Sequence, residues 1–162
     1  MGAETRNRRE DSPGVERSAA GIQVFTLGYE GRTLSEVLQI VRAQGIEQLL
    51  DVRETASSRK AGFSSADLQE ALARTGVTYV HLPNLGCERE SRHALWRGGD
   101  TDPFLEGYRQ RLAQRPQDFH DLLRRVRSAR TLLLCLERDP SRCHRAVLGE
   151  RLRAEGLTVR DL

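Results

Sequence analysis

The sequence lacks any apolar run that could cross a membrane, and it lacks the apolar core of a secretion signal. A membrane-spanning helix needs roughly 20 consecutive apolar residues, whereas residues 1–21 are mostly polar or charged. Hydrophobic residues make up 38% and charged residues 30% of the chain, a balance typical of a globular protein. We therefore expect a cytoplasmic protein with no membrane partner.

The sequence also has little lysine, and its cysteines are few and odd in number. Lys60 is the sole lysine, so the net charge of +3 depends on arginine, whose planar guanidinium group suits carboxylate and phosphate partners. Cys87, Cys135 and Cys143 are an odd number of cysteines, which argues against a disulfide framework and predicts reduced thiols. The modest charge permits a nucleic-acid partner but does not require one.

The length of the chain suits one domain. Residues 1–21 are predicted to be a disordered tail, because their composition cannot offset the entropy lost on ordering. Short β-rich runs then alternate with helical periodicities, which predicts a three-layer α/β domain over residues 22–162 with a mainly parallel sheet flanked by helices. The predicted strands are 22–27, 46–52, 77–82, 131–136 and 157–162. The predicted helices are 33–44, 65–76, 103–128 with a break near Pro116, and 141–155, and residues 83–102 are predicted to be a long loop.

Polar and ionisable residues follow every predicted strand. The carboxyl ends of parallel strands meet at one edge of a sheet, where ligands bind among the strand-to-helix loops. We therefore predict one shared cleft at this edge. The substrate-binding candidates are Tyr29, Glu30, Asp51, Arg53, His81, Arg138, Arg142 and Arg145. Simpler interpretations stay open, since Asp51 and Arg53 could form only a salt bridge between loops, and His81 could be structural.

The segment after the fourth predicted strand carries the most distinctive residues. If Ser141 caps the last helix, Cys143 and His144 fall in its first turn, where the helix dipole favours a thiolate or a bound anion. We expect Cys143, His144 and Glu137 to be the catalytic residues. Cys143 or His144 would act as nucleophile or transfer a proton, and Glu137 would orient them. Cys135 is expected to be a small buried residue of the core.

Metal binding and cofactors are not expected from the spacing of the cysteines. Cys135, Cys143 and His144 follow the pattern C-x7-C-H, which differs from the paired C-x2-C knuckles of structural zinc sites. A fourth ligand would have to come from elsewhere in the chain, from Cys87 or His81. We therefore predict a protein without stoichiometric zinc.

Several motifs occur in the order found in one protein family. They are TLGYEGR at 26–32, LDVR at 50–53, SSRKAGF at 57–63, YVHLPNLG at 79–86 and CLERDPSRCHR at 135–145. Over nearly all of residues 26–162 the chain resembles the bacterial family named for the domain of unknown function 488. The resemblance implies a three-layer α/β domain with a shared site, and it brings no established activity with it.

Two classes of function are compatible with these features. The first is an enzyme, a Cys/His-dependent transferase or hydrolase that binds an anionic substrate such as a nucleotide or nucleic-acid phosphate at the carboxyl edge of the sheet. The second is a nucleic-acid-binding accessory module that uses its arginine-rich loop and helices without chemistry. Arginines that converge in a pocket with Cys143 and His144 favour the enzyme, and a broad arginine stripe favours the module.

Overall fold

Five parallel strands form the sheet at the centre of the computed structural model, which describes residues 21–162. The strands are β1 (Gln23–Gly28), β2 (Gln48–Asp51), β3 (Thr78–His81), β4 (Thr131–Cys135) and β5 (Thr158–Asp161). The helices are α1 (Leu34–Ala43), α2 (Ser65–Ala73), α3 (Arg89–Trp96), α4 (Thr101–Ala113), α5 (Pro116–Ser128) and α6 (Arg145–Ala154). The predicted tail, apart from Gly21, lies outside the described residues. None of the helices within 21–162 is long and apolar enough to span a bilayer.

The strand order is β3-β2-β4-β1-β5, and every neighbouring pair is parallel. Gly28 pairs with Cys135, and Asp51 pairs with His81 on one side and Leu134 on the other. The carboxyl ends of β1 to β4 therefore lie along one edge. The predicted three-layer α/β fold with a parallel sheet is confirmed.

Helices cover both faces of the sheet. Helices α1 and α2 pack with Leu49 and Leu132 on one face, which we call the α1/α2 face. Helices α4, α5 and α6 pack with Leu50 and Leu133 on the opposite face, which we call the α4–α6 face. Because the neighbouring strands β1 and β4 continue into helices on opposite faces, their loops diverge, and such a switch point is where parallel α/β sheets form binding crevices.

Helix α1 begins where the sequence predicts. The Thr33 hydroxyl accepts a hydrogen bond from the Glu36 amide at 3.2 Å, and the Glu36 carboxylate accepts one from the Thr33 amide at 2.6 Å. This reciprocal pair is a capping box. Helix α2 is capped by Ser64 rather than by Ser65, a difference of one residue that is usual at helix ends.

The predicted long loop at 83–102 is wrong, because it contains a short 3-10 turn and helix α3. Leu95 is the one buried residue of α3, so the helix shows no apolar stripe to reveal it. The predicted break near Pro116 is confirmed: α4 ends at Ala113, and Pro116 opens α5, where its missing amide hydrogen costs nothing.

The expected cap at Ser141 is also wrong. Residues 140–142 form a 3-10 turn in which the Asp139 carboxylate accepts a hydrogen bond from the Ser141 amide at 2.9 Å. Cys143 is extended, and α6 begins only at Arg145. Because the Asp139 carboxylate accepts from both the amide and the hydroxyl of Ser141, the N-cap of the helix is His144, three residues later than predicted.

Candidate functional site

Arg53 is the centre of a buried network on the α1/α2 face. Its Nε and Nη2 atoms bind the two Asp51 oxygens at 2.8 and 2.5 Å. Its Nη1 atom donates to the Tyr29 hydroxyl at 3.0 Å and to the Phe63 carbonyl at 2.8 Å. All three guanidinium nitrogens of Arg53 are thus bonded to protein groups. The salt bridge between Asp51 and Arg53, which the sequence left open as a simpler interpretation, is observed.

The same network fixes the loops after β1, β2 and β3. The Tyr29 ring stacks on Phe63 with a centroid separation of 4.2 Å, and the Tyr79 hydroxyl donates to Asp51 at 2.7 Å. His81 Nε2 lies 2.8 Å from the Arg53 carbonyl, and it must donate because a carbonyl only accepts. Tyr79, which sequence reasoning missed, could have been found from its position two residues before His81, on the same face of the strand.

A second cluster lies on the α4–α6 face, at the end of β4. The sulfur atoms of Cys135 and Cys143 and one ring nitrogen of His144 all lie within 4.8 Å of one another, and all three residues are buried. His144 Nδ1 is 3.7 Å from Cys143 Sγ and 4.0 Å from Cys135 Sγ. His144 Nε2 lies 2.9 Å from the Val52 carbonyl. Since Nε2 must donate to that carbonyl, Nδ1 is the atom that faces the sulfurs.

Arg145 and Glu137 complete this cluster. The Arg145 Nε atom donates to Cys143 Sγ at 3.3 Å, Nη1 donates to the Thr26 hydroxyl at 3.1 Å, and Nη2 donates to the Glu137 carbonyl. One oxygen of the Glu137 carboxylate lies 3.2 Å from Cys135 Sγ. Arg145 is therefore committed to protein groups and does not face a ligand.

Electrostatics in the cluster favour one ionised thiol. Burial opposes ionisation of Cys143, but hydrogen bonding from Cys135 and the charge of His144 lower the pKa of Cys143 well below its ordinary value. Burial would lower the pKa of His144, yet the Cys143 sulfur raises it well above its ordinary value. The hydrogen bond to Cys143, with burial, raises the pKa of Cys135, and burial followed by the charge on Cys143 raises the pKa of Glu137. The lowered pKa of Cys143 agrees in direction with the thiolate expected from the sequence, but its causes are Cys135 and His144 rather than the first turn of a helix.

A cleft opens beside this cluster between α3 and the ends of β1 and β4. Its volume is about 580 Å³. The cleft is lined by Glu30, Leu95, Trp96, Leu136, Glu137, Asp139 and Arg142. Trp96 is 49% exposed and is the one large hydrophobic side chain that is exposed in the described part of the chain. Glu137 belongs both to the cleft and to the buried cluster, so it connects the two.

Glycine makes the close packing at this edge feasible. A Cβ atom on Gly28 would overlap the Glu137 carbonyl, so a side chain there would displace the loop after β4 that carries Glu137. Gly28 pairs with Cys135 in the sheet. The TLGYEGR motif therefore supplies the space that the Glu137 backbone occupies.

The predicted site residues fall into three places rather than one cleft. Tyr29, Asp51, Arg53 and His81 form the network on the α1/α2 face. Glu137, Cys143, His144 and Arg145 form the cluster on the opposite face. Glu30, Arg138 and Arg142 are exposed at the rim, where the Arg138 amide donates to Glu30 at 3.0 Å. Sequence reasoning missed Trp96 and Leu95, because the helix that carries them was predicted to be a loop.

Comparison with known proteins identifies the chain at the level of a family. No curated protein matches it, and no solved structure matches it. The family model described as "Domain of unknown function DUF488" matches residues 33–152, well over half of the chain. The chain belongs to this family, the domain of unknown function DUF488.

Proposed function

We propose that the domain is an enzyme that binds a phosphate-bearing anion in the cleft between β1 and β4 and carries out a transfer or hydrolysis reaction there. The observation that best supports this proposal is that Glu137 lines the cleft and also contacts the Cys135 thiol of the buried cluster. Parallel α/β sheets bind ligands at a switch point of this kind. A bacterial cytoplasmic location goes with the proposal, because free thiols stay reduced there.

The walls of the cleft suit a ligand with both an anionic and an aromatic part. Arg142 offers a guanidinium fork to a phosphate. Trp96 offers an exposed ring face for stacking. Glu30, Glu137 and Asp139 offer acceptors for hydroxyl or amino groups, and their negative charge restricts a phosphate to the Arg142 end of the cleft. This combination supports a nucleotide-like ligand rather than bare phosphate.

Within the cleft, Glu137 is the candidate for contact with the reacting atoms, as an acid or a base. Cys143 and His144 lie behind it and are fully buried, so they act through Glu137 and position it. Arg53 and Arg145, whose guanidinium groups are engaged by the protein, have structural roles in this proposal.

The accessory-module alternative has less support. The exposed arginines of the helices alternate with acidic partners, as in the pairs of Arg109 with Glu150 and of Arg127 with Glu155. Such a surface carries both signs of charge, whereas a nucleic-acid-binding face usually carries a continuous basic stripe.

Fluorescence of Trp96, the sole tryptophan of the chain, tests ligand binding in the cleft. We expect AMP to change the emission in a saturable way, and Arg142→Ala to weaken binding roughly tenfold, the lower end for a charged hydrogen bond. Arg124→Ala, on the exposed side of α5, is the matched control and should bind as the wild type does. No saturable change with millimolar AMP, together with tight binding of a labelled oligonucleotide, would favour the accessory module.

Product analysis tests the chemistry separately. Mass spectrometry should show consumption of AMP by the wild type, and Glu137→Gln should bind AMP without consuming it. AMP that binds but stays intact would restrict the domain to a binding role.

A further inference from the structure

We propose that Cys135, Cys143 and His144 bind a divalent metal ion of the zinc class, with Glu137 facing the fourth coordination position. This reverses the expectation drawn from the C-x7-C-H spacing. The proposal stands on the buried cluster alone and does not rest on anion binding in the cleft.

The donor atoms have the separations that a tetrahedral ion requires. With Zn–S distances of about 2.3 Å and Zn–N distances of about 2.0–2.1 Å, donor atoms around zinc lie about 3.5–3.8 Å apart. His144 Nδ1 lies 3.7 Å from Cys143 Sγ and 4.0 Å from Cys135 Sγ, and no pair in the cluster exceeds 4.8 Å. An ion would therefore need shifts of a few tenths of an ångström at the histidine, and an approach of the two sulfurs of at most about 1 Å.

The linear spacing is a poor guide because the chain folds back on itself. Cys135 ends β4, and the 3-10 turn at 140–142 returns the chain so that Cys143 lies beside it. A turn of this kind replaces the knuckle that brings two cysteines together in a C-x2-C site.

Groups around the three donors already orient them. The Val52 carbonyl accepts from His144 Nε2 at 2.9 Å, which directs Nδ1 at the sulfurs, where a metal ion would replace the proton on that nitrogen. Metal-binding histidines almost always make such an outer contact. Arg145 Nε donates to Cys143 Sγ at 3.3 Å, a contact that moderates the charge on a metal-bound thiolate.

Charge in the cluster balances when a divalent ion is bound. Two thiolates and the Glu137 carboxylate carry three negative charges, which a divalent ion and the Arg145 guanidinium neutralise. This matters because an unbalanced charge in a fully buried site is costly. Three protein ligands with an open fourth position is also the arrangement of catalytic zinc sites, and the Glu137 carboxylate, 3.2 Å from Cys135 Sγ, is the nearest acidic group to such an ion.

Cobalt(II) is the probe for this site, because thiolate ligands give it sulfur-to-metal charge-transfer absorption. The full chain, reduced and freed of metal by a chelator, should bind one equivalent of cobalt with these bands, and zinc should displace it. Cys135→Ser and Cys143→Ser should each weaken binding by more than the roughly 10–100-fold loss typical of outer contacts.

Cys87→Ser is the matched control. Cys87 is also buried and belongs to the same hydrophobic core as Cys135 and Cys143, but it lies outside the three-donor cluster, so this variant should keep both the stoichiometry and the charge-transfer bands. Circular dichroism checks the fold of each variant. Absence of thiolate bands in the wild type, or their loss in Cys87→Ser, would overturn the assignment even if the other variants fail to fold. AMP binding measured through Trp96 is independent of either result.

Discussion

Replacing Arg53 tests whether the network on the α1/α2 face is structural. Arg53→Ala leaves Asp51 as an uncompensated charge with an exposed fraction of 0%, and it removes donors from Tyr29 and Phe63. Breaking a buried ion pair in this way costs about 3–5 kcal/mol. For a domain of this size the loss corresponds to a fall of roughly 10–20 °C in the melting temperature.

Urea denaturation followed by circular dichroism measures the free energy of unfolding directly. The matched control is Arg74→Ala, which removes a surface pair with Glu70 whose side chains are 74% and 68% exposed. That pair should contribute no more than about 0.5 kcal/mol. Adding Asp51→Asn to Arg53→Ala should recover part of the loss, because asparagine leaves no buried charge unpaired. A cost below about 1 kcal/mol for Arg53→Ala would refute the structural role and would return Arg53 to the list of ligand-binding candidates.

Two further predictions concern glycine positions and pH. Gly28→Ala should destabilise the domain by about 3 kcal/mol or more, the upper end of the cost of overpacking, because its Cβ would overlap the Glu137 carbonyl. Gly107→Ala, in open space on α4, should instead stabilise it by about 0.5–1 kcal/mol in the same urea assay. A hydrogen bond from Arg125 lowers the pKa of Asp121 below its ordinary 3.8, so this carboxylate contributes stability above that pH and loses it as the pH falls further. Asp121→Asn should therefore be less stable than the wild type at pH 7, with a gap that closes in acid; a gap that does not depend on pH would contradict the assignment.

The sequence was sufficient for the elements whose local signals are strong. Helix α1 follows from a capping residue at Thr33 and an apolar stripe on one face, and β4 follows from an apolar run at 131–136. Helix α3 escaped prediction because a helix with one buried residue has no periodicity to detect. The start of α6 was misplaced because the side chain of Asp139, and not that of Ser141, satisfies the backbone at the turn.

The sequence predicts which edge of the sheet carries the candidate residues, but it does not predict on which face of the sheet each side chain lies. Residues after parallel strands can be assigned to one edge from the order of the strands alone. Their face depends on the alternation within each strand and on the register between strands. Arg53 and Cys143 were therefore predicted to share one cleft, whereas they lie on opposite faces of the sheet. The cluster of Cys135, Cys143 and His144 is local in sequence, but it depends on the 3-10 turn at 140–142, which the spacing alone does not reveal.

The strand order bears on where a self-sufficient folding unit begins and ends. The stretch matched by the family model, residues 33–152, omits β1 and β5. Yet β1 pairs with β4 near the middle of the sheet. A polypeptide cut to the matched stretch would leave β4 as an open edge of unpaired backbone groups, which favours aggregation. It would also lose Glu30 from the wall of the cleft, so the matched stretch is narrower than the unit that forms the complete sheet and cleft.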